Sequence, residues 1–130
     1  MQSAFALLLT WTLDGKPASL LDELRRYVTA DSWERYRKVD GLISKAWLSN
    51  SEPHEFAAFY LWETEAGREN EVRRMRNVTK ITGVEPTIRR WTVEAVQEGQ
   101  HAPLDLSSVG QAWSAVDDNT GNQVRRKAEG

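Results

Sequence analysis

GLISKAWLSNSEPHEFAAFYLW, residues Gly41 to Trp62, decides the fold. It reads as two β-strands, Leu42 to Leu48 and Glu55 to Glu63, joined by the polar connector Ser49-Asn50-Ser51-Glu52-Pro53. Strand side chains alternate between faces, so Lys45 and Trp47 share one face, and simple alternation adds Ile43 to it. A lysine beside a tryptophan on a strand that must be at least half buried points to a sheet face lining a cavity. In the second strand Phe56, Ala58, Tyr60 and Trp62 alternate with Ala57, Phe59 and Leu61. Both sets are apolar, which predicts burial on both sides.

Upstream, Ala4 to Leu13 predicts a strand with Phe5, Leu7, Leu9, Trp11 and Leu13 on one face, packed on helices. Leu8, Thr10 and Thr12 fall on the other, mixed face, where Thr10 is a candidate substrate contact. A helix follows Pro17, with Ser19 as its expected cap and Leu20, Leu21, Leu24, Tyr27 and Val28 as its apolar stripe. Asp31-Ser32 predicts an interruption, with Ser32 capping a further turn that carries Trp33 and Tyr36. Downstream, a charged helix is expected over Glu65 to Lys80, buried along Val72, Met75, Val78 and Ile81 and stopped by Gly83. A fourth strand is expected over Thr87 to Val96. Periodicity then weakens, and Leu104, Leu106, Val109 and Trp113 offer one more short apolar turn.

The order β-α-β-β-α-β is the ferredoxin-like arrangement, an α+β fold. Two helices on one side cover one sheet face only. The reading places Trp47 on the uncovered face and assigns a second copy of the sheet to cover it, as a homodimer that closes a dimeric α+β barrel. The domain spans residues 1–113, and 114–130 read as a polar, disordered tail.

Composition sets outer bounds. A chain of 130 residues is one domain with a modest core. Its six tryptophans fit a core, an interface or a ligand cavity. A net charge of −2 disfavours nucleic acid as partner. With no cysteine there is neither disulfide nor thiol catalysis, which fits a cytoplasmic protein. The run Ala4 to Leu9 is too short for a membrane span and lacks a basic flank, so neither an anchor nor a signal peptide is expected.

Gly41, Lys45, Trp47, His54, Glu55, Tyr60 and Leu61 stand, without a gap, as in the hairpin of the YdhR-like monooxygenase family, which the chain resembles. The likeness starts at LLLTWTLDG, passes through Thr82-Gly83-Val84-Glu85 and fades near LSSVGQAW. Asp31 to Val39 is longer than in the family, so nothing carries over to Trp33 and Tyr36. The resemblance implies a homodimer with a cavity between sheet and helices. The wider superfamily includes cofactor-independent monooxygenases of aromatic polyketides, aromatic cyclases, antibiotic-biosynthesis monooxygenases and haem-degrading enzymes, so the fold alone does not choose the reaction.

Lys45 and His54 are the candidate catalytic residues; Trp47, Tyr60 and Thr10 are the candidate substrate contacts. The Lys45 ammonium can stabilise an enolate or phenolate oxygen while Trp47 stacks on a flat ring. Alternatively its stem covers apolar surface and its head reaches water. His54 reads as a general base or as a hydrogen-bonded turn residue. Neighbouring Glu55 faces the opposite side, which argues against a dyad. Tyr60 reads as proton donor or core. Arg89 and Arg90 point to opposite faces and read as surface charge.

No metal-ligand cluster, phosphate loop or flavin or nicotinamide motif is present, and His54 is the one axial-ligand candidate for haem in the folded body. The leading expectation is a cofactor-free oxygenase acting on a small aromatic or polyketide-like substrate. The alternatives are a cyclase without redox chemistry and a non-catalytic binding or assembly module.

Overall fold

The computed structural model describes residues 2–116. Four antiparallel strands form one sheet in the order β2-β3-β1-β4: β1 is Phe5–Thr12, β2 Leu42–Ser51, β3 His54–Trp62 and β4 Thr87–Thr92. This is the ferredoxin-like topology expected from the sequence. The helices α1 (Ser19–Tyr27), α2 (Trp33–Tyr36), α3 (Glu65–Arg74), α4 (Asn77–Thr82) and α5 (Gln111–Val116) complete the chain.

The core forms where the predicted faces meet. Leu7, Leu9 and Trp11 of β1 and Leu13 just beyond it are fully enclosed, and Phe56, Ala58, Tyr60 and Trp62 of β3, Leu20, Leu21 and Leu24 of α1 and Val28 just beyond that helix are buried with them. Trp11 keeps its indole N–H satisfied by donating to Thr79 Oγ1 at 3.1 Å, which ties the sheet to α4. Thr64 caps α3 by accepting from the Gly67 N–H at 3.0 Å. Gly67 itself is constrained: a methyl there would stand 3.1 Å from Trp62 Cε3. Gly83 ends α4 in the left-handed conformation, φ 73°, as its position predicts.

Several local expectations are corrected. Ser19 opens α1 rather than capping it; Ala18 is the cap and makes no side-chain bond. The chain does not break at Asp31-Ser32. It continues through a wide π-helical turn, Val28–Ser32, in which the Trp33 N–H donates to the Val28 carbonyl, and runs on into α2. Ser32 caps nothing; it is buried and its hydroxyl has no partner. The charged helix is two helices, because the backbone turns extended at Met75 (φ −72°, ψ 121°). The hairpin turn tightens, since β2 and β3 stay paired to Ser51↔His54. The fourth strand stops at Thr92, short of Val96.

Two corrections bear on the site. A bulge lies between Leu42 and Ser44, so Ile43 drops out of the alternation and stands half exposed. Lys45 pairs with Tyr60 and Trp47 with Ala58, and both of those β3 residues face the helices. Trp47 therefore lies on the covered face, not on the face left for a partner. The open face carries Ala6, Leu8 and Thr10 of β1, Ala46 and Leu48 of β2, Ala57, Phe59 and Leu61 of β3, and Trp91 of β4. Beyond β4 the chain returns to pack α5 on α1, with Trp113 edge-on to Trp33 at 5.5 Å between ring centres. That last helix passes the expected boundary at Trp113; residues 117–130 of the expected tail lie outside the described residues. Among the described residues, no helix is long and apolar enough to cross a membrane.

Candidate functional site

Lys45 sits on β2, an edge strand, with its side chain turned under the helices. Three aromatic rings surround its ammonium nitrogen: Nζ lies 3.2 Å from the ring centre of Tyr36, 4.5 Å from Tyr60 and 4.7 Å from Trp47. Each ring comes from a different setting. Tyr60 is the cross-strand neighbour, Trp47 is two residues along the same strand, and Tyr36 descends from α2. The wide turn at Val28–Ser32 inserts an extra residue into the helical path, and Tyr36 then points into the core instead of outward.

Glu71 completes the cluster from α3. It is buried, and the Tyr36 hydroxyl donates to its Oε2 in a very short hydrogen bond. Arg68, one turn earlier, is also buried; it donates to Glu69 Oε2 at 2.9 Å and to the Trp91 carbonyl at 3.2 Å, which anchors α3 over β4. The elements that hold the cluster are thus locked by paired charges as well as by apolar contact.

Burial dominates the electrostatics. It pushes the Lys45 ammonium down to about 7; Glu71 pulls it back up, and Arg35 lowers it further. The faces of the three rings favour the cation and so oppose part of the desolvation. Burial, reinforced by Glu71, pushes the Tyr36 hydroxyl up, and burial with Tyr36 and Glu71 does the same to Tyr60. Both phenols stay protonated across the physiological range. Lys45 is the group of the cluster poised to exchange a proton near neutrality.

A cavity of about 490 Å³ opens beside Lys45 and wraps round the β2 edge. Its walls are mostly aromatic and aliphatic: Trp33, Trp47, Phe56 and Phe59, with Leu106 and Trp113 from the returning C-terminal segment. Lys45 and Arg25 are its charged residues, and none of its lining residues is acidic. A flat apolar ligand bearing an ionised oxygen meets complementary surface there. Among the described residues, no group of three or more histidines and carboxylates is gathered to hold a metal ion.

No family model matches the chain, and no curated protein matches it. Solved structures do. A monooxygenase from Streptomyces coelicolor, determined with the ligand nanaomycin D, aligns at TM-score 0.55 and 19% identity over 75% of this chain and 94% of that one. The protein NE2512 from Nitrosomonas europaea, of unknown function, aligns at TM-score 0.56 and 18% identity over 77% and 98%. A protein from Bordetella bronchiseptica, proposed to be an antibiotic biosynthesis monooxygenase, aligns at TM-score 0.51 and 16% identity over 74% and 100%. The chain has the fold of antibiotic biosynthesis monooxygenases. At such identities the likeness is one of architecture.

Within this monooxygenase-type fold, the residues singled out from the sequence divide into three places. Lys45, Trp47 and Tyr60 come together in the ring cage. His54 is apart from them. It opens β3, six positions from Tyr60, which is about 20 Å along an extended strand. It lines a second, smaller cavity with Lys16, Asp22, Arg25 and Ser51, and its Nε2 is buried without a partner. Thr10 lies on the opposite, open face, paired with Ala57 and Thr87. Arg90 pairs with Glu69 at 3.0 Å and Arg89 stacks on Trp91; neither lines the cavity.

Tyr36 and Glu71 were missed. Glu71 had a readable signal: Arg68 and Glu71 fall on the same helical stripe as Met75 and Val78, so two charges sit where apolar residues belong. Tyr36 had none, because ordinary helical spacing does not anticipate a five-residue turn upstream of it.

Proposed function

We propose that the chain is a homodimeric, cofactor-free oxygenase that acts on a planar aromatic or polyketide-like substrate, with Lys45 as its proton acceptor. The observation that carries this reading is the partly buried Lys45, ringed by Tyr36, Trp47 and Tyr60 and opening on an aromatic-walled cavity. The monooxygenase with nanaomycin D shares the fold and supports the substrate class by analogy. The hairpin residues shared with the YdhR-like family point the same way.

In this mechanism Trp47 and Trp33 hold the ring system flat. The neutral Lys45 amine takes a proton from a ring CH₂ that is conjugated to a carbonyl through the adjoining aromatic rings, and the resulting ammonium stabilises the enolate oxygen. The enolate carbon then reacts with dioxygen. One oxygen atom remains on that carbon, which passes from CH₂ to C=O, and the other leaves as water. The carbon supplies all four electrons, so no further reductant is required. Glu71, held by the Tyr36 hydroxyl, keeps the amine from falling far below neutrality. The homodimer covers the apolar open face of Leu48, Phe59, Leu61 and Trp91.

Oxygen uptake with a hydroxyanthrone tests the proposal. One mole of oxygen per mole of quinone, abolished in Lys45→Met, is the expected result. Product formed without oxygen would replace the oxygenase with a cyclase. Tight binding without turnover would leave a binding protein.

A further inference from the structure

We propose that Lys45 is also a nucleophilic amine, which condenses with the carbonyl carbon of a planar aromatic aldehyde or ketone held in the edge cavity. The inference rests on reading this cavity as a ligand site, but not on oxygen chemistry.

The geometry isolates the amine. None of the ion pairs among the described residues includes Lys45. The one carboxylate that faces it, Glu71 from α3, is already engaged by the Tyr36 hydroxyl. The remaining titratable neighbours are Tyr36 and Arg35 on α2 and Tyr60 on β3. The two phenols remain neutral, and Arg35 adds positive charge nearby. The ring cage excludes water on one side while the cavity gives a carbonyl access on the other. Desolvation then leaves a large share of the amine unprotonated at neutral pH, the form that attacks carbonyl carbon.

The step balances without any oxidant. The amine lone pair forms a C–N bond, and the carbonyl π pair moves to oxygen. Both hydrogens of the neutral amine leave with that oxygen as one water, giving an imine. Protonation of the imine nitrogen then makes the attached carbon an electron sink, which suits carbon–carbon bond making or breaking beside a carbonyl. Trp33, Trp47 and Trp113 on the cavity wall select a flat aromatic partner over a short aliphatic one.

The full-length protein, treated with 2-hydroxy-1-naphthaldehyde and cyanoborohydride at pH 7, decides the matter by peptide mass mapping. The expected result is a secondary-amine adduct on Lys45 formed about tenfold or more faster than on Lys16, Lys38 and Lys80, which stand exposed in water outside the cavity. The Lys45 labelling rate should rise with pH and reach half its plateau near 7. Excess naphthalene, which fits the cavity but has no carbonyl, should slow Lys45 and leave the other lysines unchanged. Labelling of Lys45 no faster than Lys16, Lys38 or Lys80 overturns the proposal. Because this test uses the native sequence, no variant has to fold. If labelling fails while oxygen uptake still requires Lys45, condensation is wrong and the oxygenase reading stands. Selective labelling without oxygen uptake gives the reverse.

Discussion

The two faces of the sheet are both apolar, yet they are built for different ends. The covered face mixes its largest hydrophobic groups with a lysine, two tyrosines and a glutamate, all within one enclosed cluster. The open face carries alanines at its centre, Ala6 and Ala57, flanked by Leu8, Phe59, Leu61 and Trp91, and Arg89 is its one charged residue on β4. The polar groups of the covered face sit where the protein itself can exclude water. The face that lacks such cover is kept smooth, which suits contact with another surface.

Trp11→Ala is the harshest probe of the covered face. It removes a fully enclosed indole and its bond to Thr79, and should cost ~3–5 kcal/mol. Urea unfolding measures it, and a loss below about 1 kcal/mol would show that the core closes readily over the gap.

Lys45→Met sharpens the contrast through pH. The folded ammonium ionises near 7 and the unfolded one near 10.5. Between those values the unfolded chain binds the additional proton, so stability rises with pH, by up to ~1.4 kcal/mol per pH unit. Below about 7 the full penalty of burying the cation is present. The tyrosines oppose the trend above about 10, when unfolded phenols ionise and the enclosed ones do not. Urea midpoints between pH 7 and 9.5 should therefore climb for the native sequence and stay flatter in the methionine variant. Parallel curves would mean that Lys45 titrates as in water.

Trp91→Ser is the mildest. On the open face it should change unfolding free energy by only about 0.5 kcal/mol, while moving sedimentation at micromolar concentration toward the monomer. An unshifted dimer would place the contact elsewhere.

The fold was legible because strands and turns speak locally. The alternation in β1 and the stop at Gly83 each carry their own physical reason and appear as read, while the polar connector before His54 marked the hairpin but set its turn too early, because Ser49 to Ser51 stay paired in β2. The site was legible in half. Lys45, Trp47 and Tyr60 stand close in the hairpin, so pairing alone brings them together. Their orientation was misread because a bulge at Ile43 and two-sided apolarity hide which face the helices choose. Tyr36 and Glu71 reach the cage only through tertiary packing, from helices thirty-five residues apart in sequence.

The wide turn at Val28–Ser32 has a consequence for how this molecule can change. An α-helix advances about 100° per residue. In the wide turn five residues cover about the angle that four cover in a regular helix, so the extra residue is absorbed and Trp33 and Tyr36 keep the phase that meets Trp113, Glu71 and Lys45. If the same residues closed into a regular helix, everything beyond would rotate by that angle, and Tyr36 would swing away from Glu71 and Lys45. Deleting one residue from the turn would make the turn regular and leave the cage in place, whereas a deletion in the regular turn after it would shift the phase. The turn therefore acts as a slack link that tolerates a change of length where the rest of the helix cannot.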